Sequence, residues 1–214
     1  VQLTPRDEDI LATLASKVRL ISEQQVTRTW WCDPPSPSTS KTAARRLARL
    51  VQSGHLTRLR RASRPELRLT APLATWRPGG EPPAFATIAT LGRERFREPV
   101  RSTVFYIASD ATARRIGGAT VRRPRLGETT HDLHVTTVYL HFRANHPGLA
   151  ARWRAEWLTP PGRRRGRSHP KTPDAVIERE RRPTAIEFVG HYTPEKLAGF
   201  HRHCAERRLA YELW

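Results

Sequence analysis

Residues 39–54 constrain the fold of this chain more than any other stretch. Thr39 or Ser40 opens a helix that runs to about Ser53. Ala43, Ala44, Leu47, Leu50 and Val51 recur at the helical period and make one apolar stripe. Lys41, Arg45, Arg49 and Gln52 fall on the other side, with Arg46 flanking them. Gly54 is the C-cap candidate. Two alternating runs follow, at 56–60 and 67–70, joined through Ala62-Ser63-Arg64-Pro65, and the pattern predicts a hairpin.

The residues ahead of that helix predict two more. Thr4 is an N-cap candidate, Pro5 takes the first helical position, and Asp7, Glu8 and Asp9 fill the first turn. Ile10, Leu11 and Leu14 give the first helix its apolar stripe. Ser22 caps a short second helix through Trp30, with Ile21, Val26 and Trp30 inward. Pro- and Gly-dense tracts at 33–38, 77–83 and 160–170 interrupt regular structure. The second tract is the expected boundary, giving domains 1–77 and 101–214 with a linker 78–100.

Charge points to a polyanionic partner, but its total is ambiguous. The net charge is +18 over 214 residues and the pI is about 11.4. Only Lys17, Lys41, Lys171 and Lys196 are lysines, there is no Met, and 18 residues are Pro, a pattern that GC-rich coding alone produces. The placement of charge is more informative. A helix that packs one side and presents Ser40, Lys41 and Arg45 near its start, with Arg46 and Arg49 beyond, suits the major groove. Arg58, Arg60, Arg61, Arg64 and Arg68 on the hairpin suit a phosphate backbone or minor groove. Arg163, Arg164, Arg165 and Arg167 are candidates for extra phosphate contacts. Cys32 and Cys204 lie far apart, outside any CxxC pair, which fits a cytoplasmic, nucleoid-associated protein. No apolar stretch reaches the roughly 20 residues of a membrane span, and no signal peptide is visible.

The second half alternates strands and helices. Strands are expected at 103–108, 153–158, 173–178, 184–189 and from Tyr211. A brief helix follows Ser109 or Asp110, a longer one runs from Thr130 or His131 to about Asn145, and an amphipathic one covers 194–208. His131 and His134, one turn apart, could join Cys204 at a zinc ion, although nothing in the spacing fixes that geometry; His201 and His203 flank Cys204.

The first 76 residues resemble winged helix-turn-helix domains through Leu3, Thr4, Asp7, Ile10, Leu11, Arg45, Leu47, Leu50, Gly54 and Leu56. The later order of helix, three strands, helix and strand resembles the PD-(D/E)XK nuclease fold. Pro173-Asp174, twelve intervening residues and Glu187 carry that likeness. It implies two carboxylates holding Mg²⁺ at a phosphodiester. The family's lysine falls at Val189, so Lys196 is the candidate replacement; Glu128 and Glu156 are further candidate acids. The combination is similar to the replication-relaxation family of plasmids and mobile elements, whose members commonly lack a standard active site.

The expected fold class is therefore α+β: an N-terminal winged helix-turn-helix and a C-terminal PD-(D/E)XK-like domain with a mixed sheet. The expected function is sequence-specific binding of double-stranded DNA, as a transcriptional regulator or replication accessory with a degenerate nuclease-like domain. The alternative is a Mg²⁺-dependent DNA endonuclease using Asp174, Glu187 and Lys196. No cofactor is expected unless that site is active, when Mg²⁺ is. A homodimer is a further option, and no membrane partner is expected.

Overall fold

The computed structural model describes residues 1–31, 37–117, 123–155, 172–179 and 182–214. The helices are α1 (Pro5–Ser16), α2 (Glu23–Trp30), α3 (Pro37–Gln52), α4 (Phe85–Glu94), α5 (Asp110–Gly117), α6 (Thr129–Asn145), α7 (Pro147–Ala151) and α8 (Pro194–Glu206). The strands are β1 (Ile21–Ser22), β2 (Leu56–Ser63), β3 (Ala74–Trp76), β4 (Arg101–Ala108), β5 (Trp153–Ala155), β6 (Ala175–Ile177), β7 (Thr184–Glu187) and β8 (Ala210–Leu213). The chain is α+β, and one of its two sheets is mixed.

The compact units interleave along the chain. One consists of Val1–Glu66 and Val100–Leu140, the other of Leu67–Pro99 and His141–Trp214. This differs from the consecutive division expected at 78–100. The supposed linker contains α4, whose Ile88 and Ala89 are buried in the second unit's core.

In the first unit, local signals start and stop the helices as the sequence suggests. Thr4 caps α1 in a reciprocal capping box with Asp7, and Ser22 caps α2 in the same way with Gln25. At the far end of α3, Gly54 adopts φ +74°. Its N–H donates to the Val51 carbonyl at 3.0 Å, and His55 N–H donates to Leu50 at 2.9 Å, a Schellman closure. Ala43, Leu47 and Leu50 on α3 are fully buried.

The strands bring the correction. Residues 67–70 form no strand. The partner of β2 is β4, in a sheet ordered β1-β4-β2 with antiparallel pairings. β4 offers eight paired residues, twice the length of the 67–70 run. It also places Phe105 opposite Leu59, so that Leu59, Phe105 and Ile107 pack with Leu20 and Leu133. The apolar area covered by that cluster outweighs the shorter loop of a local hairpin.

The second unit holds a five-stranded sheet ordered β3-β8-β7-β6-β5. β5, β6 and β7 form an antiparallel meander; α8 then carries the chain across to β8, which runs parallel to β7. The core beneath α4 and α8 includes Ala185, Val189, Leu197, Phe200, Cys204, Tyr211 and Leu213. Gly92 lets α4 approach this layer. A Cβ there would lie 2.8 Å from Val189 Cγ1 and 2.9 Å from the Gly190 carbonyl oxygen. No helix among the described residues is long and apolar enough to cross a membrane.

Candidate functional site

Two places gather the residues singled out by sequence, one in each unit. In the first, the buried leucines of α3 turn Ser40, Lys41, Arg45 and Arg49 outward, and all four are exposed. Arg58 and Arg60 are exposed on β2, and both lie on the strand face that carries Tyr106 of β4. The Tyr106 hydroxyl donates to Glu23 of α2 at 2.8 Å and also meets Arg58. Burial and the Glu23 carboxylate push the ionisation of Tyr106 up, so the phenol stays neutral and links α2 to the basic strand.

The remaining arginines are placed differently from the sequence expectation. Arg46 turns toward α1, where its guanidinium binds the buried Asp7 carboxylate and the Gln2 carbonyl. Burial raises the Asp7 pKa, but bonds from Arg46 and Thr4 outweigh it and bring the pKa from 3.8 down to about 2. Arg46 is thus part of the fold, a role the sequence did not disclose because Asp7 is 39 positions away. Arg61 is half-buried on the opposite strand face. Arg64 follows the end of β2, and its backbone N–H donates to Thr130 Oγ1 at 3.1 Å. Arg68 belongs to the second unit. Two further cations of the first unit are paired: Arg19 with Glu128 at 3.3 Å and Asp132 at 3.1 Å, and Arg28 with Glu66 at 2.8 Å. By contrast, Lys41, Arg45, Arg49 and Arg60 have no carboxylate partner among the described residues.

The second place is built from the register of β6 on β7. Ala175 pairs with Ile186, which puts Asp174 opposite Glu187 just beyond the ladder. Phe188 N–H donates to Asp174 Oδ2 at 2.7 Å, and Asp174 N–H donates to Glu187 Oε2 at 3.3 Å. The other Glu187 oxygen, Oε1, accepts the Tyr192 hydroxyl at 2.5 Å. Lys196, on the first turns of α8, places its ammonium 3.5 Å from the centre of the Tyr192 ring. The structure therefore brings Asp174, Glu187 and Lys196 into one neighbourhood and adds Tyr192, which sequence reasoning missed. The signal was its spacing, four residues before Lys196 and five after Glu187. Glu128 lies in the first unit, bound by Arg19.

Mg²⁺ is the ion that the resemblance would place at this carboxylate pair. That ion needs a near-octahedral set of oxygens at roughly 2.0–2.1 Å and usually keeps several waters. Glu187 is fully buried, and each of its oxygens already accepts a hydrogen bond from within the chain. Among the described residues, no three His, Cys, Asp or Glu side chains are grouped to hold a metal ion. His134, with Nδ1 2.6 Å from the Thr130 carbonyl, is buried in the first unit, whereas Cys204 is buried in the second unit's apolar core. Cys32, Glu156, Arg163, Arg164, Arg165 and Arg167 lie outside the described residues. No family model matches the chain, and neither a curated protein nor a solved structure matches it.

Proposed function

We propose that this chain binds double-stranded DNA in a sequence-specific way, as a transcriptional regulator or a replication accessory of a plasmid or mobile element. The first unit acts as a winged helix, with α3 as its recognition helix. The observation that carries this reading is the group of exposed cations on α3 and β2, Lys41, Arg45, Arg49 and Arg60, that have no carboxylate partner among the described residues, in a unit that pairs Arg19, Arg28 and Arg46 internally. Three helices and an antiparallel strand pair support it, although the partner of β2 comes from 101–108. Lys41, Arg45 and Arg49 approach base edges and nearby phosphates, and Arg58 and Arg60 take the adjoining backbone.

The second unit serves as a nuclease-like scaffold. Its meander, crossover helix and parallel last strand support the PD-(D/E)XK likeness. The meeting of Asp174 with Glu187, beside Lys196, favours the endonuclease alternative. The complete burial of Glu187 weighs against it.

Binding of a random-sequence duplex library, measured across a salt series, tests the proposal. Five cations engaging phosphate would make log K fall with log salt at a slope of about −4 to −5. Arg45→Ala is expected to change the selected sequence, worth about 1–3 kcal/mol of discrimination. Arg60→Ala should weaken all sequences alike and reduce the slope by about one. Salt-insensitive binding would rule out the DNA reading, and unchanged preference in Arg45→Ala would rule out this docking of α3.

A further inference from the structure

We infer that Tyr106 is a positioning residue for Arg58: its phenol keeps the guanidinium from pairing with the Glu23 carboxylate and so leaves that charge for a DNA phosphate. This role rests on the DNA-binding reading of α3 and β2.

Sheet order brings the three groups together. β4 lies between β1 and β2, and Tyr106 is paired with Ile21 on one side and with Arg58 on the other. Residues directly opposite across a ladder share a face, so the side chains of Tyr106 and Arg58 are neighbours. Glu23 follows Ser22, the last residue of β1, and opens α2, where the helix dipole favours a carboxylate. The phenol oxygen serves both charged groups. It donates to Glu23 Oε2 at 2.8 Å and also meets the Arg58 guanidinium. A hydroxyl has one proton and two acceptor lone pairs, so it can be donor to a carboxylate and acceptor to a guanidinium together. Tyr106 is buried, Glu23 is half-buried and Arg58 is exposed. Without the hydroxyl, Glu23 loses a donor in a half-enclosed place, and Arg58 is the cation beside it. A direct, charge-assisted pair would then form at the expense of a phosphate contact.

Duplex binding by the full-length chain across a salt series, with a sequence selected from the random library, tests this role. Arg58→Ala should reduce the salt slope by about one and weaken binding about tenfold. Tyr106→Phe should do the same, although the arginine is still present. Adding Glu23→Gln to Tyr106→Phe should restore the contact, so that the double variant binds like Glu23→Gln alone. A merely structural tyrosine would cost as much with Gln at position 23 as with Glu. The inference is overturned if Tyr106→Phe keeps the wild-type slope, or if its loss persists beside Glu23→Gln. An undiminished slope in Arg58→Ala also overturns it, and leaves the DNA reading intact where Arg60→Ala still lowers the slope. Salt-insensitive binding by the wild type removes the DNA reading, and this role with it. Should Tyr106→Phe fail to fold, the other two substitutions decide. With the phenol in place, the effects of Glu23→Gln and Arg58→Ala on K should multiply to within about twofold. Stronger coupling would mean that Arg58 already pairs with Glu23, and would overturn the inference.

Discussion

In the first unit the buried carboxylate of Asp7 faces a guanidinium, whereas in the second the buried carboxylate of Glu187 faces a phenol and a backbone N–H. The units do not differ in surplus charge. The first has 18 Lys and Arg against 9 Asp and Glu, and the second has 20 against 11, so each is +9. They differ in what the charge does. The first unit consumes Arg19, Arg28 and Arg46 on its own acids and leaves a defined set of cations outward on α3 and β2. The second holds its deepest acid with bonds from a phenol and a backbone N–H. Net charge alone would have assigned both units the same role.

The most drastic way to break this comparison is to cut the chain at the consecutive boundary. A 1–77 fragment lacks β4, the central strand of its sheet, and is expected to show no cooperative unfolding by circular dichroism. Residues 1–66 joined through a Gly/Ser linker to 100–140 should melt cooperatively. A cooperative melt of 1–77 would mean that the units do not interleave as described.

Asp7 offers the next largest effect. Asp7→Ala leaves Arg46 without its partner and removes the capping box, so a loss of about 2–3 kcal/mol is expected from urea unfolding. Acid should act on the same pair. The folded pKa of Asp7 lies below its ordinary 3.8, at about 2, so the ionised pair stabilises the unit above pH 3.8 and this contribution is lost as pH falls through 2. The lost share is about 2 kcal/mol. An Asp7→Asn variant should differ from the wild type less and less across that window, and a constant gap would show that another group carries the acid sensitivity.

A smaller effect sharpens the comparison from the other side. Gly92→Ala pushes a methyl into Val189 and the Gly190 carbonyl, and should cost about 1–3 kcal/mol. Hydrogen exchange can assign the loss. Protection should fall in β7 and α8 and stay unchanged in α1 and α3. Uniform loss across both units would mean that they unfold as one.

Much of the fold was legible where it depended on near neighbours in the chain. Thr4, Ser22 and Gly54 mark helix ends through bonds that reach three to five residues, and the stripe of α3 is a local period. Strand partners are a different matter. The 67–70 run alternates as well as any strand does, but alternation identifies a face and not a partner, and 101–108 made the better match. α4 was hidden because it follows the Pro- and Gly-dense tract 77–83 and was assigned to the linker, while the reason for Gly92 is a neighbour 97 positions later. At the candidate sites, Asp174 and Glu187 were singled out through their resemblance to the PD-(D/E)XK motif, and the β6–β7 ladder brings them together. Tyr192 was missed because a neutral aromatic carries no sequence mark of the carboxylate it serves. Arg46 looked like its neighbours on α3 for the same reason.

The place of β4 in the chain also sets the timing of folding during synthesis. Leu20 and Leu59 emerge from the ribosome well before Phe105 and Ile107, the residues that cover them. At roughly 5–20 residues per second, the nascent chain spends several seconds with that apolar surface uncovered. The second unit waits longer still, since β8 is made after both β3 and β7 and lies between them in its sheet. Each unit is thus completed by a strand that arrives late, which makes the growing chain a natural client for chaperones that shield exposed apolar surface.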